Sequence, residues 1–212
     1  MNNALHIKVC GMREQANILA LAQLQPDYMG FIFYKKSNRY FLASETPADL
    51  SLLPKTIQKV GVFVDENPEI ILELAKKHNL DILQLHGQES PQICAKLKSH
   101  GFRIWKALSI EDHIPQEIIA AYSGSVNCFL LDTKTPAHGG SGLQFDWSIL
   151  KTYTSSIPFM LAGGIGPDNF EEAKKYLKGL PALGLDLNSK FETEPGLKNI
   201  ESLTKAFETI QK

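Results

Sequence analysis

The sequence predicts a (β/α)8 TIM barrel of class α/β. Three observations carry that reading. Short runs of apolar, often branched residues recur eight times along the chain, and most intervals between them hold an amphipathic stretch. Several of the runs are apolar on both faces, as parallel strands covered by helices must be. Strand starts follow one another at roughly 21 to 31 residues, which suits a small barrel with little decoration.

The eight strands are read at His6 to Cys10, Tyr28 to Tyr34, Lys59 to Val64, Ile82 to His86, Arg103 to Leu108, Cys128 to Asp132, Pro158 to Ala162 and Ala182 to Leu187. A helix over Arg13 to Leu24 places Ala16, Leu19, Ala20 and Gln23 at helical spacing. Pro68 to Lys77 follows Asn67, and Pro91 to Lys98 follows Ser90; each pairs an N-cap side chain with proline at the first helical position. Further helices are expected over Asp146 to Tyr153, Asp168 to Leu177 and Asn199 to Gln211, with shorter ones at Pro47 to Leu53 and Pro115 to Tyr122. A doubly wound open sheet is the rival architecture. It needs fewer strands, and no G-x-G-x-x-G follows the first one. No Pro-, Gly- or Ser-rich linker divides the chain, so one barrel domain spanning residues 1–212 is expected.

Composition narrows the function classes. With 43% hydrophobic residues, 21% charged residues and a net charge of -1, nothing marks a nucleic-acid footprint. No apolar stretch reaches the length of a membrane span, and the first residues lack the apolar core of a secretory signal. Cys10, Cys94 and Cys128 are odd in number and widely spaced, which argues against disulfides or a zinc knuckle and for a reducing cytoplasm. For Cys94 and Cys128 the ordinary role is that of a small buried hydrophobe. No extra apolar helix face is evident, so a monomer is expected.

In such barrels chemistry gathers at the carboxyl ends of the strands. Read in order, those ends hold Cys10-Gly11, Tyr34 with Arg39 in its loop, Asp65, Gln84 with His86, Lys106, Asp132-Thr133, Gly163-Gly164, and Asp186 to Ser189. A thiol and a carboxylate ending two different strands offer a base and an acid with no metal or organic cofactor. Gly163 and Gly164 open a loop that leads to Asp168 as a helix cap; backbone freed of side chains there can bring N–H groups to an anion. Ser189, with Asn188, adds donors from the eighth loop, so a phosphate cradle is expected. A second glycine cluster, Gly139-Gly140-Ser141-Gly142, follows strand six, either as a mobile flap or as a plain flexible connector. Lys106 either attracts a negative substrate or forms an internal ion pair. His86 is either a catalyst or a satisfied histidine at the barrel top.

Beyond these readings, the ordered motifs resemble one family, phosphoribosylanthranilate isomerase. They are Lys8-Val9-Cys10-Gly11, Gly30 to Tyr34 with Ser37-Asn38-Arg39-Tyr40, Val60-Gly61-Val62-Phe63, Gln84-Leu85-His86-Gly87, Leu131-Asp132-Thr133, Gly139-Gly140-Ser141-Gly142 with Phe145-Asp146-Trp147, Leu161 to Gly164, Leu185 to Ser189 and Pro195-Gly196-Leu197-Lys198. The resemblance covers essentially the whole chain. It implies a cofactor-free Amadori rearrangement of N-(5-phosphoribosyl)anthranilate in tryptophan biosynthesis, with a phosphorylated small molecule as the only partner. It further implies Cys10 as general base, Asp132 as general acid, Arg39 on the anthranilate carboxylate, Gly163, Gly164 and Ser189 at the phosphate, and His86 and Asp186 beside the sugar.

Those roles are chemically coherent. A free thiol titrates near about 8.5, and a proton next to an iminium is easier to remove than one next to neutral carbon. Asp132 needs a proton to give, which a partly buried mouth favours. A planar guanidinium such as Arg39 can bind two carboxylate oxygens at once, whether of a substrate or of a neighbouring acid. Three positions depart from the family text: Asn38 for a proline, Leu143 for a lysine of the flap, and Lys190 for a glycine after the serine of loop eight. The last is unwelcome if the backbone there needs positive φ. Two alternatives stay open. One is another sugar-phosphate barrel enzyme, although a metal-dependent epimerase would want more His and Asp ligands at the strand ends. The other is a non-catalytic barrel that binds a phosphorylated metabolite and needs neither Cys10 nor Asp132.

Overall fold

In the computed structural model, which describes residues 5–133 and 144–210, eight parallel strands close into a barrel. They are β1 (His6–Val9), β2 (Tyr28–Ile32), β3 (Gln58–Phe63), β4 (Ile82–Leu85), β5 (Arg103–Ile110), β6 (Cys128–Thr133), β7 (Phe159–Leu161) and β8 (Ala182–Leu187). Closure comes from β1 pairing with β8, which sets Lys8 opposite Asp186 and Val9 opposite Leu187. The glycine cluster at 139–142 and Leu143 lie outside the described residues.

Helices cover the outside: α1 (Gln15–Ala22), α2 (Pro68–Lys77), α3 (Pro91–Ser99), α4 (Gln116–Ala121), α5 (Phe170–Leu177) and α6 (Ile200–Ile210). The expected caps form on α2 and α3, where Asn67 accepts from the Glu69 N–H at 2.8 Å and Ser90 from the Ile93 N–H at 3.4 Å. Two expected helices are tighter. Leu50–Leu52 and Trp147–Thr152 are 3-10 turns, begun by Asp49 and Asp146, whose side chains each accept from the N–H two residues on. Asn169, rather than Asp168, occupies the N-cap of α5. A small antiparallel pair, β9 (Glu192–Glu194) with β10 (Leu197–Lys198), follows the barrel and was not expected from the sequence.

The strands' alternation divides the core into two clusters. Tyr28, Val60, Ile82, Trp105, Ala107, Cys128, Leu130, Met160 and Ala162 fill the barrel interior. Their neighbours along each strand, such as Phe31, Phe63, Leu83, Ile104, Phe129 and Leu161, pack outward beneath the helices. This parity decides the role of Lys106. It lies between Trp105 and Ala107, both inward, and so points outward into the helix layer. There its ammonium donates to the Leu85 and Gly87 carbonyls at 3.1 and 2.7 Å and to Glu89 Oε2 at 3.1 Å. Glu89 in turn accepts from the backbone N–H groups of Asp65 and Gly87. Lys106 thus forms an internal ion pair that ties the loops after β3 and β4 to β5.

Both charges are nearly fully buried, with side-chain exposures of 3% and 1%. Lys106→Met leaves Glu89 without its cation and is expected to cost about 3–5 kcal/mol. Adding Glu89→Gln should return much of that loss. Urea melts of the single and double variants read both values, and a single-variant cost below about 1 kcal/mol would remove the clamp from the account.

Candidate active site

The predicted residues meet at the carboxyl-terminal mouth. Cys10 directly follows β1, two residues after Lys8 and on the same inward face. Its backbone N–H donates to the Leu187 carbonyl at 2.8 Å, which continues the β1–β8 ladder to the mouth. Gly30 on β2 makes room for the thiol: a Cβ there would lie 2.6 Å from Cys10 Sγ. Burial pushes the Cys10 thiol above its ordinary pKa, Lys8 and Lys198 pull it back, and Asp186 pushes it up. Cys94 and Cys128 are pushed up by burial to about 11 and about 12. They sit among apolar residues as core filler.

Asp132 is the last inward-facing residue of β6. Its Oδ1 accepts from the Thr133 N–H at 2.9 Å, and its Oδ2 lies 3.4 Å from His86 Nε2. The Asp132 and His86 side chains stay 16% and 18% exposed, so a bound molecule can reach them. Gln84, two residues before His86 and buried in the barrel, bonds His86 Nδ1 at 3.1 Å through Nε2. His86 therefore stands in a Gln84–His86–Asp132 row across the mouth.

Asp186 is nine-tenths buried, and both its oxygens accept from Lys8 Nζ at 2.9 Å. Burial pushes its pKa up while Lys8 favours its charged form. The carboxylate expected beside the sugar is thus committed to a lysine beneath it. Arg39, in the loop after β2, makes a forked ion pair with Glu192: Nε lies 2.9 and 3.0 Å from the two oxygens and Nη2 lies 2.6 Å from one. Nη1 stays outside that fork. Lys198 Nζ also reaches Glu192, at 2.5 Å, and Asn188 Oδ1 at 2.8 Å. Hydrogen bonding to Glu192 raises the Arg39 pKa. Burial works against the Glu192 charge, but Arg39 and Lys198 hold its carboxyl below the usual range.

The glycine loop after β7 is shaped by two contacts. Gly163 takes φ +82° and sits so close to Thr133 and Asp132 that a Cβ would lie 2.9 Å from Asp132 Oδ1. A side chain is excluded there by both strain and space. Asn169 then staples the loop: its Oδ1 accepts from the Gly166 N–H at 2.8 Å, and its Nδ2 donates to the Gly164 carbonyl at 2.9 Å. Ser189 begins a 3-10 turn, Ser189–Phe191, that faces this loop. Lys190 is not among the residues with positive φ, so its Cβ carries no backbone strain. Its stem packs on Gly166.

Lys8, Glu192 and Lys198 escaped the sequence reading as site residues. For Lys8 a signal existed, a lone charge at an inward position of an otherwise apolar strand. Glu192 and Lys198 follow the last barrel strand, where no strand-end rule points.

A family model for N-(5'phosphoribosyl)anthranilate (PRA) isomerase matches residues 7–209. The N-(5'-phosphoribosyl)anthranilate isomerase of Parabacteroides distasonis is 44% identical over 208 residues, covering 96% of this chain and 92% of that one. Among solved structures, the phosphoribosyl anthranilate isomerase of Thermus thermophilus superposes with a TM-score of 0.84 at 28% identity, over 98% of each chain. Another isomerase of that name was solved with reduced 1-(o-carboxyphenylamino)-1-deoxyribulose 5-phosphate. It superposes with a TM-score of 0.76 at 26% identity, over 98% of each chain. Similarity of this extent, on a barrel with the same closure, leaves one conclusion: the chain belongs to the N-(5'-phosphoribosyl)anthranilate isomerase family.

Proposed function

We propose that Cys10 and Asp132 are the base and acid of the family's reaction in this chain, the conversion of N-(5-phosphoribosyl)anthranilate to 1-(2-carboxyphenylamino)-1-deoxyribulose 5-phosphate. The observation that carries the reading is the meeting of a thiol and a partly exposed carboxylate on inward positions of β1 and β6, at one mouth. Asp132 gives a proton to the ribose ring oxygen as the C1–O bond breaks, and the anilino nitrogen forms the C=N bond. The Cys10 thiolate then takes the C2 proton. Those electrons form the C1–C2 double bond of the enolamine, which becomes the ketone by moving its hydroxyl proton to C1. The proton left on Cys10 returns through solvent to Asp132, which restores both groups, and no electrons leave the substrate, so the balance requires no cofactor.

The remaining residues position the substrate. Gly163, Gly164 and Ser189 offer backbone and hydroxyl donors to the phosphate, beside the start of α5. Arg39 keeps its Nη1 edge for the anthranilate carboxylate while Glu192 holds the other side of the guanidinium. His86 and Asp186 border the sugar, His86 beside Asp132 and Asp186 held from beneath by Lys8. The whole chain acts as one barrel domain, since the strands nearest its two ends pair with each other.

A monomer is the state we propose, because the large exposed apolar side chains among the described residues, Leu52, Ile70 and Ile118, lie on separate elements. Three free cysteines suit a cytoplasmic setting. Among the described residues no helix is long and apolar enough to cross a membrane.

The test is fluorescence loss as phosphoribosylanthranilate, made in situ from anthranilate and phosphoribosyl pyrophosphate by a separate transferase, is consumed. Catalytic loss well above spontaneous decay is expected, and decay at the uncatalysed rate would return the non-catalytic barrel to first place. The same assay carries a pH prediction. Because burial pushes the Cys10 thiol up, its basic form grows as pH rises beyond neutrality. In Asp132→Asn, which has no acid form to lose, the residual kcat/KM is therefore expected to climb with pH above 7 toward that titration. A flat or falling profile of that variant over this range would remove Cys10 as the base.

A further inference from the structure

We propose that Lys8 is a positioning residue for the Cys10 thiolate, with Asp186 as its counter-ion, a role that rests on the reading of Cys10 as base. Lys8 is completely buried inside the barrel, one of the largest fully buried side chains of the protein. An ammonium there is costly, and a buried ion pair is often no more stable than a well-packed apolar pair in its place. Stability alone therefore gives no reason for Lys8 and Asp186. Their position does: Lys8 lies one inward step below Cys10 on β1, and Asp186 is its direct neighbour across the β1–β8 ladder.

The charges around the thiol come from every side. Lys8 rises from β1 and Asp186 from β8. Lys198 enters from β10, and Arg39 reaches over from the loop after β2. Glu192 engages Arg39 and Lys198 together. Beyond Asp186 stand Asp132 and His86, in contact with each other. Gly30 walls the thiol with no charge at all.

In the inner group, Lys8, Arg39 and Lys198 face two carboxylates, Asp186 and Glu192. One positive charge is left over, and a thiolate at Cys10 balances it. Although burial opposes its charge, Lys8 is held above the ordinary lysine value by Asp186 and Cys10, so it remains a cation throughout the working range. Among the groups that oppose the upward push of burial on Cys10, the charge of Lys8 acts most strongly. Lys8 lies below the thiol, away from the open mouth, and so acts on the reaction through Cys10.

The decisive experiment follows the thiolate absorbance of the free protein with pH and subtracts that of Cys10→Ala, which isolates Cys10. Lys8→Met is expected to move this titration up by about one unit or more, with kcat near neutrality falling roughly tenfold and KM little changed. Asp186→Asn is expected to move it down, because Lys8 then has no counter-ion. The double variant, Lys8→Met with Asp186→Asn, avoids an unpaired buried charge and should titrate between Lys8→Met and the unaltered protein. Should Lys8→Met not fold, the other two variants still carry the signs. Unchanged titrations, or shifts of the two single variants in one direction, would overturn the proposal. A shifted titration with an unmoved kcat–pH profile would also overturn the role of Lys8 in turnover, and would place the failure on Cys10 as the base.

Discussion

Asp132→Asn is expected to lower kcat by roughly 10²–10⁴-fold while a bound ligand such as the reduced ketose product keeps most of its affinity. The asparagine preserves the shape of the side chain and its oxygen can still accept the Thr133 N–H, so the mouth should keep its geometry. What disappears is a carboxyl group that can deliver a proton to the ring oxygen. Without that proton the ribose ring opens with an unprotonated alkoxide as leaving group, and the Schiff base forms slowly. The loss should therefore fall on kcat rather than on KM. Stopped-flow or single-turnover fluorescence with the variant in excess reads the ring-opening limb directly. Turnover within about twofold of the unaltered protein would end the assignment of Asp132 as acid.

An equally large effect is expected at Cys10. Cys10→Ala deletes the only thiol at the mouth among the described residues, and it should reduce kcat by about 10³-fold or more. The fold should survive, because one small buried side chain is exchanged for a smaller one beside Gly30. Cys94→Ala and Cys128→Ala provide the contrast. Those thiols lie in the apolar core, so truncating them should cost stability by on the order of 1 kcal/mol and leave kcat nearly unchanged. Circular dichroism melts beside steady-state kinetics separate the two behaviours. If Cys10→Ala turned over normally, the base would have to be sought elsewhere in the mouth, with His86 first in line.

Much of the architecture was legible before any coordinates. All eight strands lie where runs such as Ile7 to Val9 and Phe129 to Leu131 place them, because a strand buried on both faces must be apolar on both. The helix over Pro68 to Lys77 begins and ends as its cap and composition require. Local reading failed over the kind of turn that follows a cap. Asp146 accepts from the N–H two residues on just as Asn67 does, yet a 3-10 turn follows the one and an α-helix the other, so the cap alone does not set the turn. The β9–β10 hairpin was missed because each of its strands is very short.

Asp186 shows how far a site can be read one residue at a time. Its place at the end of β8 was plain from the apolar run before it, but its partner lies 178 positions away in sequence. Lys106 is the converse case. Position near a strand end suggested the mouth, and its outward parity sent it to Glu89 instead.

By itself the sequence determined the elements, their order and the family, since periodicity, caps and ordered motifs act between residues close together in the chain. It also determined which residue types stand at the strand ends. Only the tertiary structure decided how the charges pair: Lys8 with Asp186 beneath the thiol, Arg39 and Lys198 on Glu192, and Lys106 outside the barrel wall. The physical reason is that a buried charge takes the nearest compensating charge in space, and barrel closure and strand register alone set that distance.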